Sequence, residues 1–440
     1  MVIVDQALQR RHQEGNPIRV AMVGAGYIGA GIALELLTGI VGIKLAAISN
    51  RTLSKAGRAF QAAGVHSVKV VETVAELEEC VATGEYAITD DPMLLCQADN
   101  IDAIIEATAD IDFGARVVME AIANRKHVVL MNAAVDATIG PILKVYADRA
   151  GVVLTYTDGD EPGVAMNLYR FLRTTGYKPV LMGQIKGFLD RYRNPETQRE
   201  FAEKCNQKPS MIASYADGTK LSLEGTIMAN ATGFKVGKRG MYGPRCESVR
   251  DIVNHFSTEE LLHGGGWVDY VLGAEPGSGA FVVAYNDHPV KREYLAHFKM
   301  GDGPLHVFYT PYHLAHVQAP LSVARAVLFH DATIAPAGAP VCDTFAAAKR
   351  DLKAGEVLDG MGGFTCYGLI DTYEICLAEN LLPITLSQDC LLKYDIQKDQ
   401  PITYADVELP AGRLCDTLRA EQTVYFEHCN KQAANLIPIR

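Results

Sequence analysis

The glycine-rich turn near the N-terminus limits the possible folds of this chain more than any other feature. It has the spacing G-x-G-x-x-G and consists of Gly24, Ala25, Gly26, Tyr27, Ile28 and Gly29. A β-branched run at 18–23 precedes it and an amphipathic pattern reaching Leu37 follows it, which predicts a strand, a turn and a helix. In such a unit the helix N-terminus attracts phosphate groups, and glycine lets a pyrophosphate approach the backbone. We therefore expect residues 24–29 to bind a dinucleotide; a glycine-rich turn without a ligand is the alternative.

The end of the second predicted strand indicates which dinucleotide. A site for NAD usually has an acidic residue there, which accepts a hydrogen bond from the ribose 2′-hydroxyl. This chain instead has Asn50, Arg51 and Thr52 after Ser49. A guanidinium group pairs well with a phosphate, so the 2′-phosphate of NADPH is favoured. Alternatively, Arg51 is only a solvated turn residue.

The pattern along the chain predicts an α/β protein of three parts, as expected for 440 residues. Short β-branched runs alternate with amphipathic helices over residues 1–155, which favours a doubly wound parallel Rossmann sheet. Residues 156–335 are less regular and rich in glycine, tyrosine and histidine, and we assign them to a central α+β catalytic and dimerisation domain. Residues 336–440 begin with a Pro/Gly/Ala linker and continue with short strands and turns.

Composition narrows the function classes. The net charge of -11 argues against nucleic acid as a partner. The ten cysteines contain no C-x-x-C pair, so reduced thiols are expected rather than a disulfide framework or a zinc site. No export signal is evident and no apolar run approaches the length of a membrane span. We expect a cytoplasmic enzyme with no membrane partner.

An acidic turn follows the predicted nucleotide domain. Asp158, Asp160 and Glu161 lie within four residues, just before a helix predicted to begin near Pro162. Three carboxylates this close repel one another unless a positive charge compensates them. Oxygen ligands suit Mg²⁺ or Mn²⁺, so Asp160 and Glu161 are candidate metal ligands. Capping of the helix N-terminus is the alternative.

A basic group follows at Lys186, Arg191 and Arg193. In an acidic protein such a local cluster is typical of a site for a phosphate-bearing substrate. A surface of salt bridges explains it equally well.

A second candidate group lies on a predicted helix at 218–231. Lys220 and Glu224 are one turn apart, Asp217 precedes them, and the apolar sequence that follows indicates a buried helix. A lysine between carboxylates can donate a proton or polarise a carbonyl, and Glu224 is a third candidate metal ligand. An ordinary i,i+4 surface pair is the alternative. Asn230 and two loop histidines, His288 and His313, are further candidates for substrate binding.

These motifs together resemble a known family. The nucleotide fingerprint, "DGDEPG", "DGTK…E…ANATG", "TPYHL" and the C-terminal segment are similar to the homoserine-dehydrogenase-like, SAF-domain oxidoreductases. Within that superfamily the chain looks most similar to enzymes resembling 1-deoxy-D-xylulose-5-phosphate reductoisomerase. The resemblance implies a SAF-like β-clip domain at 336–440, NADPH, a divalent metal and a homodimer.

The resemblance also implies an activity. It is the conversion of 1-deoxy-D-xylulose 5-phosphate, a small phosphorylated sugar, to 2-C-methyl-D-erythritol 4-phosphate in isoprenoid biosynthesis, with inhibition by fosmidomycin. The implied catalytic residues are Lys220, Asp217, Glu224, Asp160 and Glu161. One alternative is an NADP-dependent dehydrogenase of a small polyol, sugar acid or homoserine-like compound, without rearrangement of the carbon skeleton. Another is a non-catalytic protein that senses NADPH.

Overall fold

A parallel sheet forms the N-terminal part of the molecule. The computed structural model describes residues 3–434. The strands of this sheet are β1 (Ile18–Val23), β2 (Ile43–Ser49), β3 (Lys69–Val70), β4 (Ala87–Thr89), β5 (Ala103–Glu106), β6 (His127–Leu130) and β7 (Leu154–Tyr156). The helices are α1 (Asp5–Gln13), α2 (Tyr27–Thr38), α3 (Leu53–Ala62), α4 (Val74–Thr83), α5 (Pro92–Gln97), α6 (Ile111–Ala123) and α7 (Ala133–Ala150). The strand order is β3-β4-β2-β1-β5-β6-β7 and every pairing is parallel, which confirms the Rossmann-like sheet.

One segment of this sheet differs from the expectation. Its sequence, at 73–97, suggests an insertion with one extra helix, but it folds as α4, β4 and α5. Strand β4 lies inside the sheet, where Ala87–Thr89 pairs with β2. Three residues are too few for a strand to show a clear hydrophobic period, so the strand is not visible in the sequence.

The central part contains a second, mixed sheet. Its strands are β8 (Lys178–Lys186), β9 (Trp267–Leu272), β10 (Ala280–Tyr285) and β11 (Leu305–Thr310). The helices are α8 (Glu161–Thr174), α9 (Arg199–Lys204), α10 (Pro209–Ala216), α11 (Thr219–Thr232), α12 (Thr258–His263), α13 (Pro289–His297) and α14 (Ala315–Phe329). The order is β11-β10-β8-β9, with β8 and β9 parallel and the other two pairings antiparallel. Helices α8 and α11 pack against this sheet, which confirms an α/β fold with a separate mixed sheet.

Helix α14 returns from the central part to the nucleotide-type sheet. It packs on α2 and on β6, and its buried residues Ala319, Val323 and Ala324 belong to the same apolar core as β1 and β2. The end of the central segment is therefore close to the glycine-rich turn. This packing brings the two halves of the candidate site together.

The C-terminal part has two small antiparallel sheets and a long helix. Its elements are β12 (Cys342–Ala348), β13 (Cys366–Thr372), α15 (Tyr373–Ala378), β14 (Leu391–Leu392), β15 (Val407–Glu408) and α16 (Leu414–Ala434). Helix α16 packs on α6 and α7, and the core of this part is continuous with one face of the N-terminal sheet. The SAF-like β-clip is not confirmed. The division at 155 and 335 stays a prediction.

Among residues 3–434, no helix is both long enough and apolar enough to span a membrane.

Candidate active site

The glycine-rich turn has the shape of a pyrophosphate cradle. Gly24 adopts φ +104°, and a Cβ there would lie 2.7 Å from the carbonyl oxygen of Ala107, so no other residue fits without strain. A Cβ built on Gly26, at the N-terminus of α2, meets no atom of the described chain within 4 Å. This open space lies where the helix dipole favours a phosphate, so the turn fits a bound dinucleotide.

The candidate residues for the 2′-phosphate surround this turn. The side-chain oxygen of Asn50 accepts a hydrogen bond from the backbone N–H of Ala25 at 3.1 Å, which fixes the end of β2 against the turn. Arg51 and Thr52 follow immediately and are exposed. Tyr27 is exposed and Ile28 is half-buried at the start of α2. Arg51 is therefore free to approach a phosphate beside Asn50.

A cluster of ionisable side chains lies on the central part. We call it the charged cluster: Asp160, Glu161, Lys186, Lys220, Glu224 and His313. Asp160 is the N-cap residue of α8 and Glu161 is the first residue of that helix, and Lys186 is the last residue of β8. Lys220 and Glu224 lie one turn apart on α11, and His313 lies between β11 and α14. Four separate segments thus converge on one site.

Lys220 is held between two buried carboxylates. Its Nζ lies 2.9 Å from Oε1 of Glu224 and 3.3 Å from both oxygens of Asp160. Asp160 also accepts a hydrogen bond from the hydroxyl of Tyr156, the last residue of β7. The Lys220 ammonium lies 5.1 Å from the centre of the Tyr215 ring, a cation–π contact. These contacts exclude the alternative of an ordinary surface pair, because Glu224 is 0% exposed.

Lys186 completes the cluster on the other side of Glu224. Its Nζ donates a hydrogen bond of 2.6 Å to Oε1 of Glu161 and lies 3.7 Å from Oε2 of Glu224. Nδ1 of His313 lies 3.3 Å from Oε2 of Glu161. Among the described residues, neither oxygen of Glu224 accepts a well-aligned hydrogen bond, although both lie near ammonium groups. The charge of the buried Glu224 carboxyl group is therefore compensated by Lys186 and Lys220.

The electrostatic environment divides the carboxylates into two kinds. Burial and the nearby charge of Glu161 raise the pKa of Glu224 to about 8. Burial also acts on Glu161, but Lys186 and His313 outweigh it and hold the pKa of Glu161 below its usual range. Burial would lower the pKa of Lys220, yet Asp160 and Glu224 reverse this and hold that pKa well above its usual range. The site therefore keeps a permanent cation beside a carboxyl group that titrates near neutral pH.

The acidic turn is fixed by contacts outside the cluster. Gly159 adopts φ +81°, and a Cβ there would lie 2.7 Å from Cβ of Gln318 on α14. Asp158 points away from the cluster and accepts two hydrogen bonds, of 2.9 and 3.0 Å, from the amide of Asn167. Buried Arg325 of α14 donates a hydrogen bond of 3.1 Å to the side-chain oxygen of Asn167. Asp158 is therefore a structural residue, and α14 holds the turn in place.

The carboxylates of Asp160 and Glu161 have two predicted roles, which are capping of α8 and binding of a divalent metal. Asp160 occupies the N-cap position of α8, but within the described structure its side chain makes no capping hydrogen bond. Asp160, Glu161 and His313 each present one ligand atom, all within 4.8 Å of one another, a donor set that suits a divalent cation. Glu224, the third predicted ligand, is not part of this group. Because two ammonium groups already contact these carboxylates, the metal stays a prediction.

The structure places five other predicted residues away from the cluster. Asp217 is buried against Lys349. The side-chain oxygen of Asn230 accepts hydrogen bonds from the backbone N–H groups of Val341 and Cys342. The remaining three are Arg191, which stacks on Tyr367, Arg193, which pairs with Asp190, and His288, which caps exposed α13. The expected basic group is thus divided, with only Lys186 in the cluster. The roles of these five residues in substrate binding or catalysis stay predictions.

Two residues of the site are not predicted from the sequence. Tyr156 is fully buried, and its pKa is raised by burial and by Asp160. Tyr215 lies under Lys220, and burial raises its pKa as well. The only available signal is the position of Tyr156 four residues before Asp160. Nothing in the sequence shows that the end of β7 faces inward.

The charged cluster and the glycine-rich turn lie near the same edge of the N-terminal sheet. Both the turn after β1 and the turn after β7 follow the carboxyl ends of parallel strands, where ligands of such sheets bind. His316, three residues after His313, packs on α2: a Cβ on Gly31 would lie 3.0 Å from the Cβ of His316. The cluster therefore lies beside the predicted nucleotide site.

The comparisons with known proteins bear on this geometry. Residues 159–319 match a family model described as "Oxidoreductase DRL, catalytic domain". This stretch contains the whole charged cluster, and Tyr156 contacts it from β7, just outside the match. A search among the curated proteins gives no match. The family match supports an oxidoreductase.

Several solved structures align with the chain at low identity. A myo-inositol dehydrogenase from Corynebacterium glutamicum is 10% identical over 71% of this chain and 89% of its own, with a TM-score of 0.41. A myo-inositol 2-dehydrogenase from Lactobacillus plantarum is 15% identical over 62% of this chain and 77% of its own, with a TM-score of 0.34. A mutant of a 3-ketoreductase from Actinomadura kijaniata, solved with TDP-benzene and NADP, is 14% identical over 71% of this chain and 90% of its own, with a TM-score of 0.34.

These findings correct the family expectation. The matched family model is described as the catalytic domain of an oxidoreductase, and its description names neither a reductoisomerase nor a homoserine dehydrogenase. This match overturns the expected relation to 1-deoxy-D-xylulose-5-phosphate reductoisomerase and to the homoserine-dehydrogenase-like superfamily. The associated expectations of isoprenoid biosynthesis and fosmidomycin inhibition are overturned with it. The dehydrogenase alternative fits the findings better.

Proposed function

We propose that this chain is an NADP-dependent dehydrogenase of a small polyol, sugar acid or homoserine-like compound. The observation that carries the proposal is the position of Lys220, held between Asp160 and Glu224 near the sheet edge that also presents the glycine-rich turn. The match of residues 159–319 to an oxidoreductase catalytic domain supports the same conclusion.

The cofactor assignment rests on the turn and its neighbours. Gly24 and Gly26 leave room for a pyrophosphate, and exposed Arg51 beside Asn50 suits a 2′-phosphate. When bound, the nicotinamide exchanges a hydride with a carbon atom of the substrate. NADPH is preferred over NADH in this proposal, because no acidic residue follows β2 to accept from a ribose 2′-hydroxyl.

The residues of the cluster supply the remaining chemistry. Lys220 stays protonated because two carboxylates face it, so its ammonium stabilises the negative charge that develops on a carbonyl oxygen during reduction. Lys220 can deliver a proton to that oxygen, and the carboxyl group of Glu224, which contacts Lys220 and whose pKa is raised by burial and by Glu161, can relay a proton to Lys220. Oxidation of an alcohol uses the same groups in reverse. Asp160 and Tyr156 orient Lys220 throughout.

A panel of substrates tests the proposal. NADPH oxidation is followed with small ketoses, keto acids and amino-acid-derived aldehydes as substrates. NADP⁺ reduction is followed with polyols, sugar acids and homoserine. Each product is identified by NMR. The proposal expects turnover of at least one compound with its carbon skeleton intact. Tight NADPH binding without any turnover, or a product with a rearranged skeleton, would contradict it. The homodimer also stays a proposal, which a measurement of molar mass in solution decides.

A further inference from the structure

A buried ion pair joins the C-terminal part to the start of α11. Lys349, the residue after β12, is 5% exposed and Asp217 is 1% exposed. The Lys349 Nζ donates to Oδ2 of Asp217 at 2.9 Å and to two backbone carbonyl oxygens, those of Arg193 at 2.7 Å and Gly363 at 2.8 Å. All three of its protons are therefore used within the protein.

Two of the three acceptors of Lys349, the Asp217 carboxylate and the Arg193 carbonyl, belong to the segments that carry the lysines of the charged cluster. Asp217 precedes α11, and its Oδ1 accepts the backbone N–H of Thr219 at 2.8 Å, immediately before Lys220. Arg193 lies on the loop that leaves β8 directly after Lys186. One ammonium group thus restrains the chain close in sequence to both lysines, after Lys186 and before Lys220.

Further contacts hold the same two segments to the C-terminal part. The backbone N–H of Gly368 in β13 donates to the hydroxyl of Thr219 at 2.8 Å. On the loop after β8, the hydroxyl of Tyr192 donates to Asp399 at 2.9 Å. Helix α11 and the loop therefore both rest on residues 342–408, with Lys349 buried at the point where they meet.

We propose that Lys349 is a positioning residue, which sets the separation of Lys186 and Lys220 by binding Asp217 and the Arg193 carbonyl together. Its effect on turnover rests on the proposed function, but its effect on the geometry of the two lysines does not. The C-terminal part is then a structural half of the active site. Asp217 acts through α11 and does not contact the substrate.

The test compares the neutralisation of this buried ion pair with the neutralisation of an exposed ion pair. Removing Lys349 alone would leave an uncompensated buried charge, so the main variant is the double substitution Lys349→Met with Asp217→Asn. The matched control is Lys353→Met with Asp395→Asn, an exposed pair at 2.7 Å in the same part of the chain. Folding is checked from a cooperative thermal transition, and NADPH binding by fluorescence. If the main variant does not fold, Lys349→Arg takes its place, because it keeps the buried pair charged and changes only its geometry.

The decisive readout is the rate at which a lysine-specific reagent modifies each lysine, measured by mass spectrometry. We expect Lys186 and Lys220 to react at least ~10-fold faster in the main variant, since the loss of ion-pair geometry releases each amine from the carboxylates that hold it. NADPH binding stays unchanged, kcat falls with little change in KM, and Lys220 modification stays at the wild-type rate in the control. Unchanged modification of both lysines in a folded variant overturns the inference. A protein without turnover on any substrate overturns the proposed function and leaves this readout intact.

Discussion

The ammonium group of Lys220 lies 3.3 Å from each carboxylate oxygen of Asp160, so the charge of one side chain is centred on the other. Asp160 comes from the turn after β7 and Lys220 from α11, which are 60 residues apart in the chain. The hydroxyl of Tyr156 fixes Asp160 from the sheet side. Lys220 therefore has a defined orientation before any substrate binds.

Removing the charge of Asp160 is expected to impair catalysis without affecting the cofactor. In Asp160→Asn the orientation of Lys220 is lost, so kcat falls by ~10²-fold, within the usual range for proton-transfer groups. NADPH affinity, measured by fluorescence titration, stays at the wild-type value. The matched control is Asp190→Asn, which removes a carboxylate that pairs with half-exposed Arg193. Equal loss of activity in both variants would show that Asp160 has no special role.

Arg51 is expected to decide the choice between NADPH and NADH. A hydrogen bond between two charged groups contributes ~1.5–3 kcal/mol, so Arg51→Gln weakens NADPH binding by roughly 10- to 100-fold. NADH binding changes little, because NADH lacks the 2′-phosphate. Isothermal titration calorimetry with both cofactors measures this difference, with Arg10→Gln on exposed α1 as the control. An equal loss of affinity for NADPH and for NADH would show that Arg51 does not contact the 2′-phosphate.

Gly26 is expected to matter for binding and not for folding. A Cβ there meets no described atom within 4 Å, and the residue has an extended backbone that other residues adopt readily. Gly26→Val therefore keeps the melting temperature of the free protein while its side chain fills the space meant for the pyrophosphate. Binding of both cofactors disappears in calorimetry. If Gly26→Val still bound NADPH, the phosphates would lie elsewhere.

Asp136 is expected to make stability depend on pH. Its carboxyl group is 1% exposed, neither oxygen has a hydrogen-bond partner among the described residues, and burial raises its pKa to about 7. An unfolded chain releases this proton near the ordinary pKa of an aspartate, whereas the folded chain keeps it. The loss of folding stability caused by Asp136 is therefore absent at low pH. It grows as the pH rises through the pKa of Asp136 in the unfolded chain, and it becomes constant above the pKa of Asp136 in the folded protein.

Replacing this carboxyl group isolates its contribution. The stability of Asp136→Asn relative to wild type should rise between pH 4.5 and 7.5 by on the order of 2–4 kcal/mol, the linkage value for a shift of this size. Urea denaturation midpoints at several pH values measure it. A difference between the two proteins that is independent of pH would mean that Asp136 ionises equally in the folded and unfolded states.

Sequence periodicity predicts the parts of the fold that have regular elements. The strands Ile18–Val23 and Ile43–Ser49 and the helix Thr219–Thr232 lie where their patterns indicate. Strand β4 is not predicted, because three residues carry no period. The return of α14 to α2 is not predicted either, since a contact between distant segments leaves no local signal.

The same distinction applies to the candidate site. Local spacing identifies Asp160, Glu161, Lys220 and Glu224, and the structure brings them together. Lys186 and Arg191 are close in sequence and are expected to act together, but β8 ends at Lys186 and the loop then carries Arg191 onto Tyr367. The pairing of Asp217 with Lys349 spans 132 residues and no spacing predicts it. Charge pattern thus finds candidate residues, whereas burial decides their partners.

Transfer of deuterium from labelled NADPH tests the central claim most directly. NADPH deuterated at its transferable position is supplied together with the best substrate of the panel. The reaction is measured for the wild type, for Lys220→Met and for the control Lys204→Met. The control substitution breaks an exposed i,i+4 ion pair with Glu200. We expect deuterium on the former carbonyl carbon of a product with an intact skeleton, a loss in kcat of ~10²–10⁴-fold for Lys220→Met, and wild-type rates for the control. A product without deuterium, or full activity of Lys220→Met, would contradict the account.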